Sequence, residues 1–310
     1  MKPPRFDYVD PKTVGEAVGL LKQHESEAKL LAGGQSLMPL LNMRLARPGV
    51  LIDLGKVTAL DYIREANAPS TGLRTGPSTG LRTGMLAIGA MTTKRTVEDS
   101  ALIKSRQPLL HAATLLVGHA QIRNRGTVGG SMAQADPAAE YPAIAVALDA
   151  TLQVAGPNGE RTIKASDFFV SYLTTALDST EMVTEVHFPL LGNSTGWSIA
   201  EVTRRHGDFA MTGVALTVTL ESGGHCSGTR IVLFGVGATP VRATAAEQVV
   251  NGQKPTDKLF EQAAGKVNAD ITEPLSDVHA SAEYRRHLAQ VLTRRALAEA
   301  VARAGGKGAN

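Results

Sequence analysis

Apolar positions near the N-terminus recur with helical spacing. Val14, Ala17, Val18 and Leu21 fall at i, i+3, i+4 and i+7, behind Thr13 and Glu16, the two residues of a capping box. The pattern predicts an amphipathic helix, and then its period changes. Residues 28–32, an apolar run interrupted only by Lys29, predict a buried strand. Gly33-Gly34 predicts a tight turn, residues 37–45 a short helix with Pro39 in its first turn, and residues 50–54 a further strand. Residues 1–56 therefore read as a compact βαβ unit.

Further along, residues 86–91 predict a strand and residues 101–117 a helix broken at Pro108. A second helix starts at Pro137 and ends near residue 148, after a loop over 119–135. Residues 151–155 pair with 161–164 through Pro157-Asn158-Gly159. From Glu181 strands dominate, at 182–188, 197–204, 213–221 and 229–236, and the alternation of Leu216, Val218 and Leu220 marks them as antiparallel. Helices follow at 243–250, 257–268 and 280–304. In the last, Leu288, Val291 and Leu292 share a face while Leu297 and Val301 project about 180° away, so this helix is expected to be covered on two sides. The change of pattern near 175–180 predicts two domains of an α+β chain. One spans 1–177, with 57–177 as its second subdomain, and the other is a C-terminal α+β domain over 178–310, an antiparallel sheet with helices.

Residues 69–76 read PSTGLRTG and are repeated letter for letter at 77–84. Eight residues are too few for a solenoid unit, and the Gly, Pro, Ser and Thr content is that of an exposed loop, so 69–84 predicts a duplicated hairpin tip.

Composition narrows the function. In 310 residues, 43% hydrophobic and 20% charged content is that of a globular chain, and 4% aromatics against 31 glycines speaks against a nucleic-acid reader built on stacking. The net charge of +3 is uneven. From Tyr284 onward six basic residues, Arg285, Arg286, Arg294, Arg295, Arg303 and Lys307, face one acid, Glu299, so the rest of the chain is net −2. That stretch reads as a solvated helical face. Cys226 is the one cysteine, which excludes an internal disulfide and any thiolate-built iron–sulfur or zinc site on this chain. The N-terminal MKPPRFDYVDPK has no apolar signal core, and no run approaches the roughly 20 apolar residues of a membrane span, so a cytoplasmic location is expected.

Standard phosphate motifs fail: Gly265-Lys266 runs into Val267, and Gly235-Val236-Gly237 is not continued by the glycine a GxGxxG requires. The eight histidines have no metal spacing, and no catalytic constellation is evident. Two glycine pairs are more informative. Gly33-Gly34, with Gln35 and Ser36, joins a strand end to a helix start, where free N–H groups attract an anion. Gly129-Gly130 precedes small residues and a helix start in the same way. Two such loops are suited to grip a diphosphate from both sides, although a glycine pair is often only a turn. A rival reading takes Gly34-Gln35-Ser36 as the first half of a GxSxG nucleophile elbow, but Met38 occupies the place of its last glycine.

The stretches AGGQSLMPLLNMRLARPGVLIDL, IRNRGTVGGSMAQADPAAEYP, DFFVSYLTTAL and RRHGDFAMTGVAL occur in order over nearly the whole chain. In this the sequence resembles the FAD-binding medium subunits of molybdenum hydroxylases, such as aerobic carbon monoxide dehydrogenase, and the flavin domain of xanthine dehydrogenase. The resemblance implies a flavin fold of the vanillyl-alcohol-oxidase type, a small α/β subdomain plus a mixed-sheet subdomain, followed by a separate C-terminal domain. It implies noncovalent FAD, taking electrons from iron–sulfur clusters of a small partner subunit that a molybdopterin centre on a large one reduces, in a dimer of heterotrimers. A freestanding flavin oxidoreductase and a scaffold subunit that has lost flavin are the alternatives.

By position, the resemblance assigns Ala32, Gly33, Gly34, Gln35, Ser36 and Leu37, with Thr127, Gly129, Gly130 and Ser131, to the pyrophosphate, the glycines being needed because a Cβ would obstruct it. Glu140 stands where relatives usually carry Asp, near the ribose or ribityl hydroxyls. Val183 and Phe209, the latter preceded by Asp208, fall where the isoalloxazine ring is approached, and Ala200 replaces a long polar residue. No catalytic or metal-ligating residue is implied on this chain.

Overall fold

The computed structural model describes residues 2–67 and 81–306. Strand β1 (Asp7–Val9) leads to helix α1 (Val14–His24), strand β2 (Ala28–Leu31), helix α2 (Leu37–Asn42) and strand β3 (Val50–Asp53). The strands form a parallel sheet in the order β1-β3-β2, with Ala17, Val18 and Leu21 of α1 in the core beside it. Thr13 Oγ1 caps α1 by accepting the Glu16 N–H at 3.1 Å. The Glu16 carboxylate accepts from Lys12 N at 2.7 Å, so the box closes one residue earlier than its pattern predicts. Ala32 leaves the sheet for the glycine turn, and α2 stops at Asn42 because the chain turns at Arg44 (φ +59°) and the Leu45 N–H returns to the Leu40 carbonyl.

Next come β4 (Ile63–Asn67) and β5 (Leu81–Gly89), then helices α3 (Lys94–Asp99), α4 (Ala101–Arg106), α5 (Pro108–Leu116), α6 (Ala120–Arg123), α7 (Val128–Gln134) and α8 (Glu140–Ala147). They are followed by β6 (Thr151–Gly156), β7 (Gly159–Lys164), the one-turn α9 (Ala165–Phe168), the small hairpin of β8 (Phe169–Ser171) and β9 (Thr174–Thr175), and β10 (Met182–Leu191). An antiparallel sheet of five strands results, in the order β4-β5-β10-β6-β7. Residues 69–80, most of the predicted hairpin tip, lie outside the described residues. Residues 81–84, the end of the second copy of the repeat, belong to β5.

Two expectations are corrected here. The loop predicted over 119–135 contains α6 and α7, and the following helix begins at Glu140, not Pro137. The boundary at 177/178 would give β10 to the C-terminal domain, yet β10 is the central strand of the five-stranded sheet, paired with β5 and β6. The chain passes to another sheet only between Leu191 and Thr195. Nearly every residue of β10 is buried, so it lacks the alternation that would have tied it to one sheet face.

The second sheet contains β11 (Thr195–Val202), β12 (Thr212–Leu220), β13 (Cys226–Phe234) and β14 (Val241–Arg242), all antiparallel in that order. Helices α10 (Thr244–Val250), α11 (Asp257–Lys266) and α12 (Ala282–Ala304) pack against it. Helix α12 lies between β11-β12 and α11, covered on two sides as its apolar positions predict. Its basic residues are not all solvated. Arg285 is buried, pairs with Asp277 at 2.8 Å and donates to the Gly235 carbonyl, while the Arg303 guanidinium stacks 3.8 Å over the Trp197 ring. Helix α8 is buried along its whole length between α5 and strands β12 and β13, so one core joins the five-stranded sheet, its helices and the inner face of the second sheet.

Candidate functional site

A cleft of about 740 Å³ opens where the small parallel sheet meets the helices of the larger sheet. Its floor is the β2–α2 turn, at the carboxyl end of a parallel strand, where ligands of α/β units gather. Ala32, Gly33, Gly34, Gln35, Ser36 and Leu37 all line it, as do Thr127, Gly129, Gly130, Ser131 and Val183. The two glycine motifs, about ninety residues apart in sequence, are thus brought together.

Their contact is direct. A Cβ on Gly33 would lie 2.1 Å from the Arg125 carbonyl oxygen and 2.8 Å from the Gly126 Cα, so only a glycine lets the first turn rest on the second motif's backbone. Gly129 approaches Ala90 as closely, its absent Cβ falling 2.5 Å from the Ala90 Cβ. The expectation that these glycines clear space for a diphosphate is corrected at both positions, because the space is filled by protein. Gly34 has a different requirement, a φ of +73° that L side chains avoid. A Cβ on Gly130 would meet Thr127 Oγ1 at 2.8 Å.

The motifs also differ in what their amides do. The N–H groups of Gly33, Gly34, Gln35, Ser36 and Leu37 donate to no acceptor among the described residues, while the Gln35 amide folds back on the Gly33 carbonyl at 3.1 Å. Five successive donors therefore remain for a ligand. In the second motif Val128 N donates to the Thr92 carbonyl (3.0 Å), Gly129 N to that of Ala90 (2.8 Å), Gly130 N to Thr127 Oγ1 (3.1 Å) and Ser131 N to the Thr127 carbonyl (3.2 Å). These glycines are the first turn of α7, capped by Thr127, and what the motif offers a ligand is the hydroxyls of Thr127 and Ser131. The donor set suits an anion held mainly from one side, and the cleft volume lies in the range of about 300–1,000 Å³ usual for small-molecule sites.

Three predicted residues stand elsewhere. Glu140 does not line the cleft. It is the buried first residue of α8, and burial pushes its carboxyl up, opposed by Lys94 and reinforced by Asp136. Glu201 on β11 is pushed up to about 8 by burial and by Glu140, and its Oε2 has no hydrogen-bond partner among the described residues. Asp208 and Phe209 also lie off the cleft, on the segment between β11 and β12. Asp208 pairs with Arg205 at 3.4 Å, Gly207 (φ +85°) sits so close to the His119 ring that a Cβ would come within 2.4 Å of it, and Phe209 is 66% exposed. The segment thus packs on His119, the residue that precedes α6. Ser36 has a helical backbone and no hydrogen bond from its hydroxyl among the described residues, so no base activates it and the nucleophile elbow is not formed.

One lining residue was not singled out in the sequence. Lys94, the first residue of α3, is 8% exposed, and burial lowers its ammonium to about 8 against a smaller raising effect of Glu140. The signal was the TTK triplet at 92–94, which reads as no more than a helix cap. Among the described residues no group of His, Cys, Asp and Glu is arranged to hold a metal, and no helix is long and apolar enough to cross a membrane.

Comparison with known proteins gives the same outline. Residues 4–191 match the FAD binding domain in molybdopterin dehydrogenase, and residues 197–300 the CO dehydrogenase flavoprotein C-terminal domain. The chain is 38% identical over 304 residues to the 6-hydroxypseudooxynicotine dehydrogenase complex subunit alpha of Paenarthrobacter nicotinovorans, covering 98% of this chain and 97% of that one. It is 38% identical over 303 residues to the carbon monoxide dehydrogenase medium chain of Hydrogenophaga pseudoflava, covering 98% and 99%. The solved carbon monoxide dehydrogenase of Hydrogenophaga pseudoflava, in a form that lacks the Mo-pyranopterin moiety of the molybdenum cofactor, superposes with a TM-score of 0.88 at 39% identity over 98% of this chain and 99% of that one.

Proposed function

Because the chain belongs to the FAD-binding medium subunits of the molybdenum hydroxylases, oxidoreductase components by family, we propose that it is the electron-transfer subunit of such a complex. Bound FAD supplies the redox chemistry, accepting electrons from iron–sulfur clusters on a small partner subunit and passing them to an external acceptor. The chain's own residues bind and orient the cofactor. The observation that carries this proposal is the row of five unspent amides, Gly33 to Leu37, in a cleft large enough for a dinucleotide. These amides hold the diphosphate, Thr127 and Ser131 add hydroxyls from across the cleft, and buried Val183 gives an apolar wall to the ring. Glu140, Asp208 and Phe209 act on the cofactor only if the segments carrying them shift.

The flavin fold is of the vanillyl-alcohol-oxidase type in this proposal, with β1 to β3 as its small subdomain, and the binding is noncovalent, since no histidine lies in the 32–37 or 127–131 stretch to form a covalent link. With Cys226 as the one cysteine, buried and its thiol pushed up to about 11 by burial, the clusters belong to the small subunit and the molybdopterin to a large one, in a dimer of heterotrimers in the cytoplasm. The intact amide row counts against a scaffold that has lost flavin.

The test is direct. Acid precipitation of the purified protein should release all flavin colour into the supernatant. Chemically reduced isolated chain should be reoxidised by a quinone or dye, and the oxidised isolated chain should stay yellow with organic substrates. Bleaching by an organic substrate with no partner present would replace this proposal with a freestanding oxidoreductase.

A further inference from the structure

Lys94 lines the cleft with a side chain almost wholly removed from solvent. Its ammonium has no salt bridge within 4 Å and no hydrogen bond among the described residues. Among the described residues its Nζ lies 5.1 Å from the centroid of the Tyr141 ring, and Glu140 acts on it by charge without an ion pair. A buried cation so poorly compensated is costly, and proteins either neutralise such a group or give it an anion. The stem places it beside the amide row. Lys94 Cδ and Gln35 Cγ each lie 3.7 Å from where a Cβ of Gly126 would stand, so the lysine and the anion-seeking turn flank the same backbone.

We propose that Lys94 is the buried counter-charge of the cofactor's diphosphate, a partner for the anion that the five amides alone leave uncompensated. The inference rests on the flavin reading above and adds to it a charged residue, with a consequence for how binding depends on protons. Helix α8 presents Glu140, the carboxylate among the described residues whose charge acts on Lys94, and Tyr141; α6 and α5, which also pack on α3, direct Arg123 and His111 to Glu98 instead, and on α3 itself Arg95 pairs with Glu98 and Asp99. None of the carboxylates neutralises Lys94 by contact, and the arginines are already paired. In the ligand-free chain, burial leaves the lysine half-deprotonated at about pH 8. An adjacent diphosphate favours the charged form, so binding is full strength below that pH and weakens as pH rises above it, by about tenfold per unit until the bound-state pKa is reached.

The experiment measures the affinity of the full-length chain, freed of flavin, for FAD, ADP and riboflavin between pH 6.5 and 9.5. Wild type should bind FAD and ADP about tenfold more weakly at pH 9 than at pH 7. Lys94→Met should bind both about tenfold more weakly than wild type at pH 7 and show little of that slope, with riboflavin, which has no phosphate, unaffected. Lys94→Arg should keep the pH 7 affinity and lose the slope, since arginine does not deprotonate in this range; it decides the matter if the methionine variant does not fold. Wild-type affinity of Lys94→Met for FAD and ADP would overturn the proposal and leave the flavin reading standing. An equal loss for riboflavin would also overturn it, placing the effect on the ring or the fold. Failure of the wild type to bind FAD would overturn both.

Discussion

At Gly33-Gly34 the backbone leaves five consecutive amides without a protein acceptor, whereas at Gly129-Gly130 each amide from Val128 to Ser131 is already bonded inside the fold. The letters are the same, and the difference comes from what surrounds them. The first pair follows a parallel strand that ends at the cleft, and Gly34 takes a left-handed φ of +73° there, where no carbonyl among the described residues meets the N–H groups. The second pair sits in the opening turn of a helix, where Thr127 supplies the cap and the carbonyls of Ala90 and Thr92 take the remaining donors. A glycine pair before a helix therefore signals an anion site only where no neighbouring segment satisfies its amides. What the pairs share is their leading glycine, since Gly33 and Gly129 both press against another segment's backbone.

The largest expected effect tests that shared feature. Gly33→Ala and Gly129→Ala put a methyl 2.1 Å from the Arg125 carbonyl and 2.5 Å from the Ala90 Cβ, and neither obstacle is a side chain that can rotate away. Overpacking of this kind costs about 1–3 kcal/mol or more, roughly 2–4 °C in Tm per kcal/mol for a domain of this size. Calorimetry should place both variants at the upper end of that range. A Tm unchanged in either would show that the junction at that position is loose.

The next effect separates the trailing glycines. Alanine at Gly34 costs about 1–2 kcal/mol in a left-handed conformation, and the turn can relieve the strain only by re-aiming the peptides that carry the free amides. Each bond lost to a charged ligand is worth about 1.5–3 kcal/mol, so FAD affinity should fall roughly tenfold to hundredfold. At Gly130 the alanine methyl falls 2.8 Å from Thr127 Oγ1 and must displace that hydroxyl, but the amide behind it is spent in the helix cap, so only one hydroxyl contact is at stake and FAD affinity should fall by no more than about tenfold. Equal losses in the two variants, read by flavin fluorescence, would erase the distinction between a ligand turn and a capped helix start.

Most elements were legible because their periods are strong. The i, i+3, i+4 run of α1, the shared face of Leu216, Val218 and Leu220 on β12, which is buried on both faces over most of its length, and the two-sided pattern of α12 survive in the structure. Short α6 and α7 escaped because four to seven residues give no period, and α7 opens with two glycines, which intrinsic propensity counts against a helix. The domain boundary slipped because burial and strand type do not say which sheet a strand joins, and β10 joins the one its neighbours in sequence leave. At the site, the amide row was legible from Gly33-Gly34 beside an apolar run, while two of the spent amides of α7, those of Val128 and Gly129, depend on carbonyls about forty residues away and have no local trace. Lys94 was hidden for a similar reason. A lysine at a helix start reads as solvated, and only the packing of α8 and the Gly126 turn around it buries the charge.

The smallest effect carries the comparison to a pair of segments that are identical in every letter. Of the two copies of PSTGLRTG, the second ends in Leu81-Arg82-Thr83-Gly84, which belongs to β5, with Gly84 opposite Asn67 of β4 and Leu81 opposite Leu191 of β10. Deleting residues 77–84 takes away the four residues that open that strand, but the residues then joined to Met85 are Leu73-Arg74-Thr75-Gly76, the same four letters in the same register. The connection between β4 and β5 is merely shortened by eight residues, and each halving of a loop's length changes its closure entropy by only about 0.6 kcal/mol. The deletion should therefore leave FAD content at the wild-type value and shift Tm by no more than about 2–4 °C, in contrast to the single methyl groups at Gly33 and Gly129. A fall in FAD content or a Tm loss as large as that of Gly129→Ala would mean that the extra copy packs on the cleft or the sheet, and that its position along the chain, not its letters, sets its role.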